Sequence, residues 1–116
     1  MDRDPRAYLW DAKESADAIA DFVRGRTLDD YLADRMLRSA VERQFEIIGE
    51  ALRRFEKAAP NLAVEFPELP QVVAFRNILI HGYTAIDDRT VWRTIHEDLP
   101  VLWTRLARLL DQAAGK

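Results

Sequence analysis

No cysteine occurs in the 116 residues, which removes disulfide frameworks, thiolate metal sites and cysteine nucleophiles together. Histidine is nearly as scarce. His81 and His96 are the two present, with no H-E-x-x-H pair for zinc, and no paired-carboxylate helix spacing marks a di-iron bundle. Neither metal nor other cofactor is therefore expected. With four glycines and five prolines against 48% apolar and 32% charged residues, the composition suits a soluble, helix-rich domain and argues against disorder. No apolar run approaches the length that crosses a membrane, and Met1 to Pro5 begins no apolar signal region. A cytoplasmic location is expected. Basic surplus is also missing, since the net charge is −3. A protein that coats nucleic acid advertises a basic surface, so any RNA contact must be local, a small basic cleft in a mildly acidic body.

What is there reads as a single domain, residues 1–116, with four helices and no convincing strand. Asp4 is a natural N-cap with Pro5 at the first helical position, and the first helix runs to Arg24, stopped by Gly25. Leu9, Ala12, Ala16, Ile19 and Val23 make its buried stripe. Thr27-x-x-Asp30 resembles a capping box, opening a second helix that continues to Ala58 and ends at Pro60. Leu37, Val41, Ile48, Leu52 and Phe55 form its stripe. Its length of about 45 Å exceeds what a compact four-helix core requires, which points to a partner subunit along part of it. Residues 60–70 hold three prolines and read as the long connection. A third helix spans Pro70 to His81, closed by Gly82. A fourth covers Asp88 to Ala114, with Asp87 and Asp88 as its cap and a kink at Pro100 rather than a division into two helices.

Chemistry concentrates in one octapeptide, Arg76-Asn77-Ile78-Leu79-Ile80-His81-Gly82-Tyr83. An arginine fork donates in pairs and stays charged, which suits it to phosphate. A histidine gives or takes a proton near neutral pH. Together they are a minimal kit for cleaving a phosphodiester. At about 100° per residue, Val72, Phe75, Ile78 and Leu79 share an ordinary core face of the third helix. Val73, Arg76, Asn77, Ile80 and His81 share the other, where aliphatics are interleaved with functional groups. A two-fold contact between two copies would cover both kinds of side chain, so a homodimer with this helix at its interface is expected. Plainer roles exist for each residue. Arg76 is also a natural salt-bridge partner, His81 a helix C-terminal cap, Asn77 a hydrogen-bond partner for His81, and Tyr83 a half-buried aromatic.

The octapeptide resembles the R-x4-H-x-Y signature of the HEPN superfamily, in its HepT-like branch. The segment Arg43-Gln-Phe-Glu-Ile-Ile-Gly-Glu-Ala51 is similar to that branch's R-x-x-E-x-I-G-E-A stretch. Phe75-Arg76-Asn77 and Asp98-Leu99-Pro100 match as well, so the resemblance covers almost the whole chain. It implies an all-α, HEPN-type bundle of four to five helices that forms a homodimer. It further implies the toxin half of a toxin–antitoxin pair, a metal-independent ribonuclease whose partner is a minimal nucleotidyltransferase antitoxin and whose substrate is RNA. Under the resemblance Arg76 and His81 are the catalytic pair and Asn77 is the polar residue that follows the arginine. Tyr83 matches the tyrosine that the antitoxin modifies with AMP in some members. The rival reading is a catalytically inactive HEPN module, kept for nucleotide binding or protein interaction, and a second rival is a plain helical dimerisation protein.

Overall fold

The computed structural model describes residues 3–82, 84 and 86–114, and among these every regular element is helical. Helix α1 (Pro5–Val23) starts where Asp4 accepts from the Arg6 backbone N–H at 2.9 Å. Its predicted stripe is buried in full. Gly25 ends the reversal that follows, at a φ of 74°, where a side chain would be strained. Thr27 and Asp30 form the reciprocal capping box, which opens α2 (Leu28–Ala33).

The long second helix expected from Thr27 to Ala58 is in fact two. Asp34 adopts extended φ and ψ of −115° and 97°, and its carboxylate caps a new helix, α3 (Arg35–Ala58), by accepting from Leu37 N at 3.0 Å. Two further contacts hold the break. Tyr31 is wholly buried, with its ring against Trp92 at 5.4 Å. The Arg38 guanidinium donates to the Tyr31 and Leu32 carbonyls at the end of α2, where carbonyls lack the full set of helical partners. An aspartate that can serve either as helix interior or as cap thus serves as cap, and α3 spans about 36 Å instead of 45.

A short helix, α4 (Pro60–Ala63), lies within the proline-rich connection, followed by α5 (Leu69–His81), α6 (Asp88–Glu97) and α7 (Leu99–Ala114). Asp87 caps α6 by accepting from Arg89 N and Thr90 N. The single kinked helix expected over Asp88 to Ala114 is divided into α6 and α7 at Asp98, which keeps helical φ and ψ. The ladder resumes at once through Leu102 N to Asp98 O at 3.0 Å. Pro100, two residues earlier, lacks the N–H that would have bonded the His96 carbonyl.

Helix α3 is the axis of the assembly, with α1 on one side and α5 on another, while α7 closes against α1 and α6. Val41, Ile48, Leu52 and Phe55 of α3, Ile19 of α1 and Leu106 of α7 are wholly buried in one continuous core. Among the described residues, five longer helices and two short ones therefore make up the expected all-α bundle. Among the described residues no helix is long and apolar enough to cross a membrane.

Candidate active site

The centre of the site is an unusually close crossing of α3 and α5. A Cβ placed on Gly49 would lie 2.2 Å from Arg76 Cβ and 2.6 Å from Arg76 Cγ, well inside van der Waals contact. Gly49 therefore permits α5 to lie directly on α3, with the stem of Arg76 in the gap. A helix-interior glycine costs about 1 kcal/mol relative to alanine, and here that cost accompanies a backbone approach no other residue allows.

This crossing changes the expected faces of α5. The packed side runs from Phe75 through Leu79 and Val72 to Arg76, with Leu79 buried and Phe75 edge-on to Phe45 at 5.1 Å. Arg76, assigned from spacing to the outer face, is at the edge of the packed one, its side chain 18% exposed. Ile78, assigned to the core, is instead 51% exposed. It stands about 100° round the helix from Leu79, beyond the margin of the contact. Asn77, Ile78, Ile80 and His81 are the exposed set, with Val73 half-buried.

The head of Arg76 is held by two groups. Nη1 donates to Asn77 Oδ1 at 2.9 Å, so Asn77 partners the arginine and not His81. Nη2 lies 3.0 Å from Glu50 Oε1, a contact of charge whose angle misses hydrogen-bond geometry and leaves both Arg76 Nε and Glu50 Oε1 buried without a hydrogen-bond partner. Glu50 is held from the other side by Arg54 Nε, 2.8 Å from Oε2, and Arg53 approaches to 3.9 Å. The Arg54 hydrogen bond, with the positive charges of Arg76, Arg54 and Arg53 added, keeps the Glu50 carboxyl below its ordinary range against the opposing effect of burial.

Arg76 opens onto a cleft of about 250 Å³ between α1, α3 and α5. Four guanidiniums (Arg3, Arg43, Arg54, Arg76) and three carboxylates (Asp11, Glu46, Glu50) line it, with Tyr8 and Ile80. The lining carries one positive charge more than negative, and each arginine faces a carboxylate of the same cleft. His81 is the last residue of α5 and fully outside the core. The Gly82 N–H closes the helix behind it on Ile78 O at 2.8 Å. Arg76 and His81 project about 140° apart around one helix, so the pair does not converge on one point within a single chain. Tyr83 lies outside the described residues. Among the described residues no three His, Asp or Glu side chains are grouped as metal ligands would be.

Glu50 and Gly49 are the site residues that spacing alone did not single out. Their signal was present in the Ile48-Gly49-Glu50-Ala51 run, a glycine inside an otherwise strong helix beside an acid.

Comparison with known proteins identifies the family of the chain. The family described as ribonuclease HepT-like matches residues 12–109. A protein of Methanocaldococcus jannaschii, whose name gives RNase as a provisional assignment, is 38% identical over 100 residues, covering 84% of this chain and 89% of its own. A protein of Thermococcus cleftensis, named as a probable ribonuclease HepT, is 35% identical over 111 residues, covering 94% of this chain and 98% of its own. One from Caldanaerobacter subterraneus subsp. tengcongensis, again with a provisional RNase name, is 29% identical over 108 residues, covering 93% and 96%. No solved structure gives a significant match. The all-helical bundle, the R-x4-H helix and these relatives lead to one assignment: the chain belongs to the HepT-like ribonuclease family of the HEPN superfamily.

Proposed function

We propose that the protein is a metal-independent endoribonuclease that acts as a homodimer and serves as the toxin of a toxin–antitoxin pair. The observation that carries this reading is the state of Arg76. Its stem is locked in the Gly49 gap and its head is oriented at the mouth of a cleft lined by three further arginines. RNA brings its own nucleophile. In the proposed reaction the 2′-oxygen attacks the adjacent phosphorus as its proton passes to a base, the bond to the 5′-oxygen breaks, and that oxygen takes a proton from an acid. The product is a 2′,3′-cyclic phosphate. Arg76 stabilises the charge that builds on the phosphoryl oxygens, and His81 moves the proton, a contribution typically worth about 10²–10⁴-fold.

The angular separation of Arg76 and His81 supports the dimer. Two copies of α5 meeting through Ile80, which is 37% exposed and stands between Arg76 and His81 around the helix, would bring one protomer's histidine toward the other's arginine. One His81 then acts as base and its partner's counterpart as acid. Asn77, bound to Arg76, orients the guanidinium. Neutralisation follows the family pattern: a minimal nucleotidyltransferase antitoxin transfers AMP to Tyr83, two residues beyond His81, placing a negative charge and a purine where the substrate phosphate must bind.

The Glu50 ion pair also fits the rival reading, in which Arg76 is structural and the module inactive. Incubation of the purified protein with RNA in excess chelator separates the two. Cleavage to cyclic-phosphate ends, no attack on DNA, and loss of cleavage in Arg76→Ala and His81→Ala are expected. Folded variants that cut as fast as the parent would overturn the catalytic assignment.

A further inference from the structure

Glu50 has no role in the chemistry just described, yet it is the most heavily engaged carboxylate near Arg76. It lies between arginines of two helices, bonded to Arg54 at 2.8 Å and in ionic contact with Arg76 at 3.0 Å. Its neighbour Gly49 supplies the gap that receives the Arg76 stem. One turn of α3 therefore fixes Arg76 at both ends. The glycine confines Cβ and Cγ, which leaves the head as the remaining freedom, and the carboxylate opposes it from below.

The contact is also incomplete. Glu50 Oε1, 3.0 Å from Arg76 Nη2, is buried without a hydrogen-bond partner, and so is Arg76 Nε. A structural arginine–carboxylate pair normally closes as a bidentate fork. Here the attraction acts across an open fork, so the guanidinium is aimed while its donors are not all consumed. Arg54, 61% exposed, holds the other carboxylate oxygen and keeps Glu50 from turning away.

We propose that Glu50, braced by Arg54, is a positioning residue that sets the orientation of the Arg76 guanidinium toward the substrate phosphate. Its catalytic consequence rests on the ribonuclease reading, and its structural content does not. The carboxylate neither touches RNA nor moves a proton; it acts through Arg76 alone.

Two measurements test this on the full-length protein. The first is the mobility of the Arg76 Nε–Hε group by ¹⁵N relaxation. It is expected to be ordered in the parent, mobile in the isosteric Glu50→Gln, and more mobile than the parent in Arg54→Ala. The second is RNA cleavage in a double-mutant cycle. Glu50→Gln is expected to lower kcat by about 10- to 100-fold, the scale of a small misplacement of a catalytic group, with KM within about twofold of the parent. In an Arg76→Ala background the same substitution is expected to change nothing, because its effect has no route left. An Arg76 head as ordered in Glu50→Gln as in the parent overturns the proposal whether or not RNA is cut. A Glu50→Gln loss that persists in full without Arg76 overturns it as well. A parent protein that cuts no RNA refutes the ribonuclease reading instead, and the relaxation measurement still decides the positioning role. Should Glu50→Gln fail to fold, Arg54→Ala on the exposed face decides by the same mobility criterion, with unchanged Arg76 order counting against the proposal.

Discussion

Replacing Gly49 by alanine is the sharpest probe of the crossing on which the site is built. The added methyl would sit 2.2 Å from Arg76 Cβ, whereas carbon atoms settle at about 3.5–4.0 Å. The helices must therefore separate locally by about 1.5 Å. The obstructing atoms are the first carbons of the arginine side chain, fixed to the α5 backbone, so no rotamer change relieves the overlap. Overpacking of this kind costs about 1–3 kcal/mol, and the better helix propensity of alanine returns about 1 kcal/mol. The net is a loss of about 0–2 kcal/mol, or a fall in Tm of up to about 8 °C for a domain of this size. Activity should suffer more, because a displacement of about 1 Å at a group that stabilises the transition state can cost about 10²-fold. Thermal unfolding followed by circular dichroism, alongside cleavage of a labelled RNA, reads both effects on one preparation. A Gly49→Ala protein with unchanged Tm and full activity would show that α3 and α5 do not approach as described.

Ile80→Asp should convert the proposed dimer to a monomer by light scattering while the single chain stays folded by circular dichroism, since the side chain is partly exposed there; a variant still dimeric would place the interface elsewhere. Acid should erase the stability difference between the parent and Glu50→Gln. The Glu50 carboxyl is held below its ordinary value of 4.5, chiefly by the Arg54 hydrogen bond, so its contribution is complete above that value and disappears as pH falls through the lower, folded one. Equal Tm values for the two proteins at neutral pH would refute it. Tyr83→Phe removes the nucleophilic oxygen and keeps the ring, so it should still cut RNA and gain no AMP mass when co-expressed with a nucleotidyltransferase partner. AMP mass retained in that variant would move the modification to another residue.

Much of the scaffold was legible because its signals are local. The α1 stripe, the Thr27–Asp30 capping box, the Asp87 cap and the stop at Gly82 each depend on residues within a turn or two of one another. What escaped depends on tertiary packing. Asp34 reads equally well as helix interior or cap, and the choice is made by Tyr31 and Arg38 engaging distant groups and freed carbonyls. The faces of α5 escaped for a related reason. Its apolar residues occur all round the helix, so periodicity carries little direction, and the orientation is set by the gap at Gly49 on another helix. For the same reason Arg76 and His81 could be picked out as chemistry by residue type, but the Glu50–Arg54 support could not. Nothing in a carboxylate twenty-six residues upstream announces its partner.

Arg76 and His81 share one helix but differ in mechanical grounding. The arginine is clamped at mid-helix against the central axis of the bundle, while the histidine stands on the terminal residue of α5 with solvent around it. A perturbation entering from beyond Gly82 therefore reaches His81 first and Arg76 last, which on the proposed ribonuclease reading is the proton shuttle before the anion grip. Tuning and stability are thereby separated. On that reading, sequence drift, a ligand or a covalent tag at that end would retime proton transfer without loosening the core, while changes in α3 would alter folding and phosphate grip together. A ribonuclease built this way would be silenced at its tip and remain intact, ready to resume activity when the obstruction is removed.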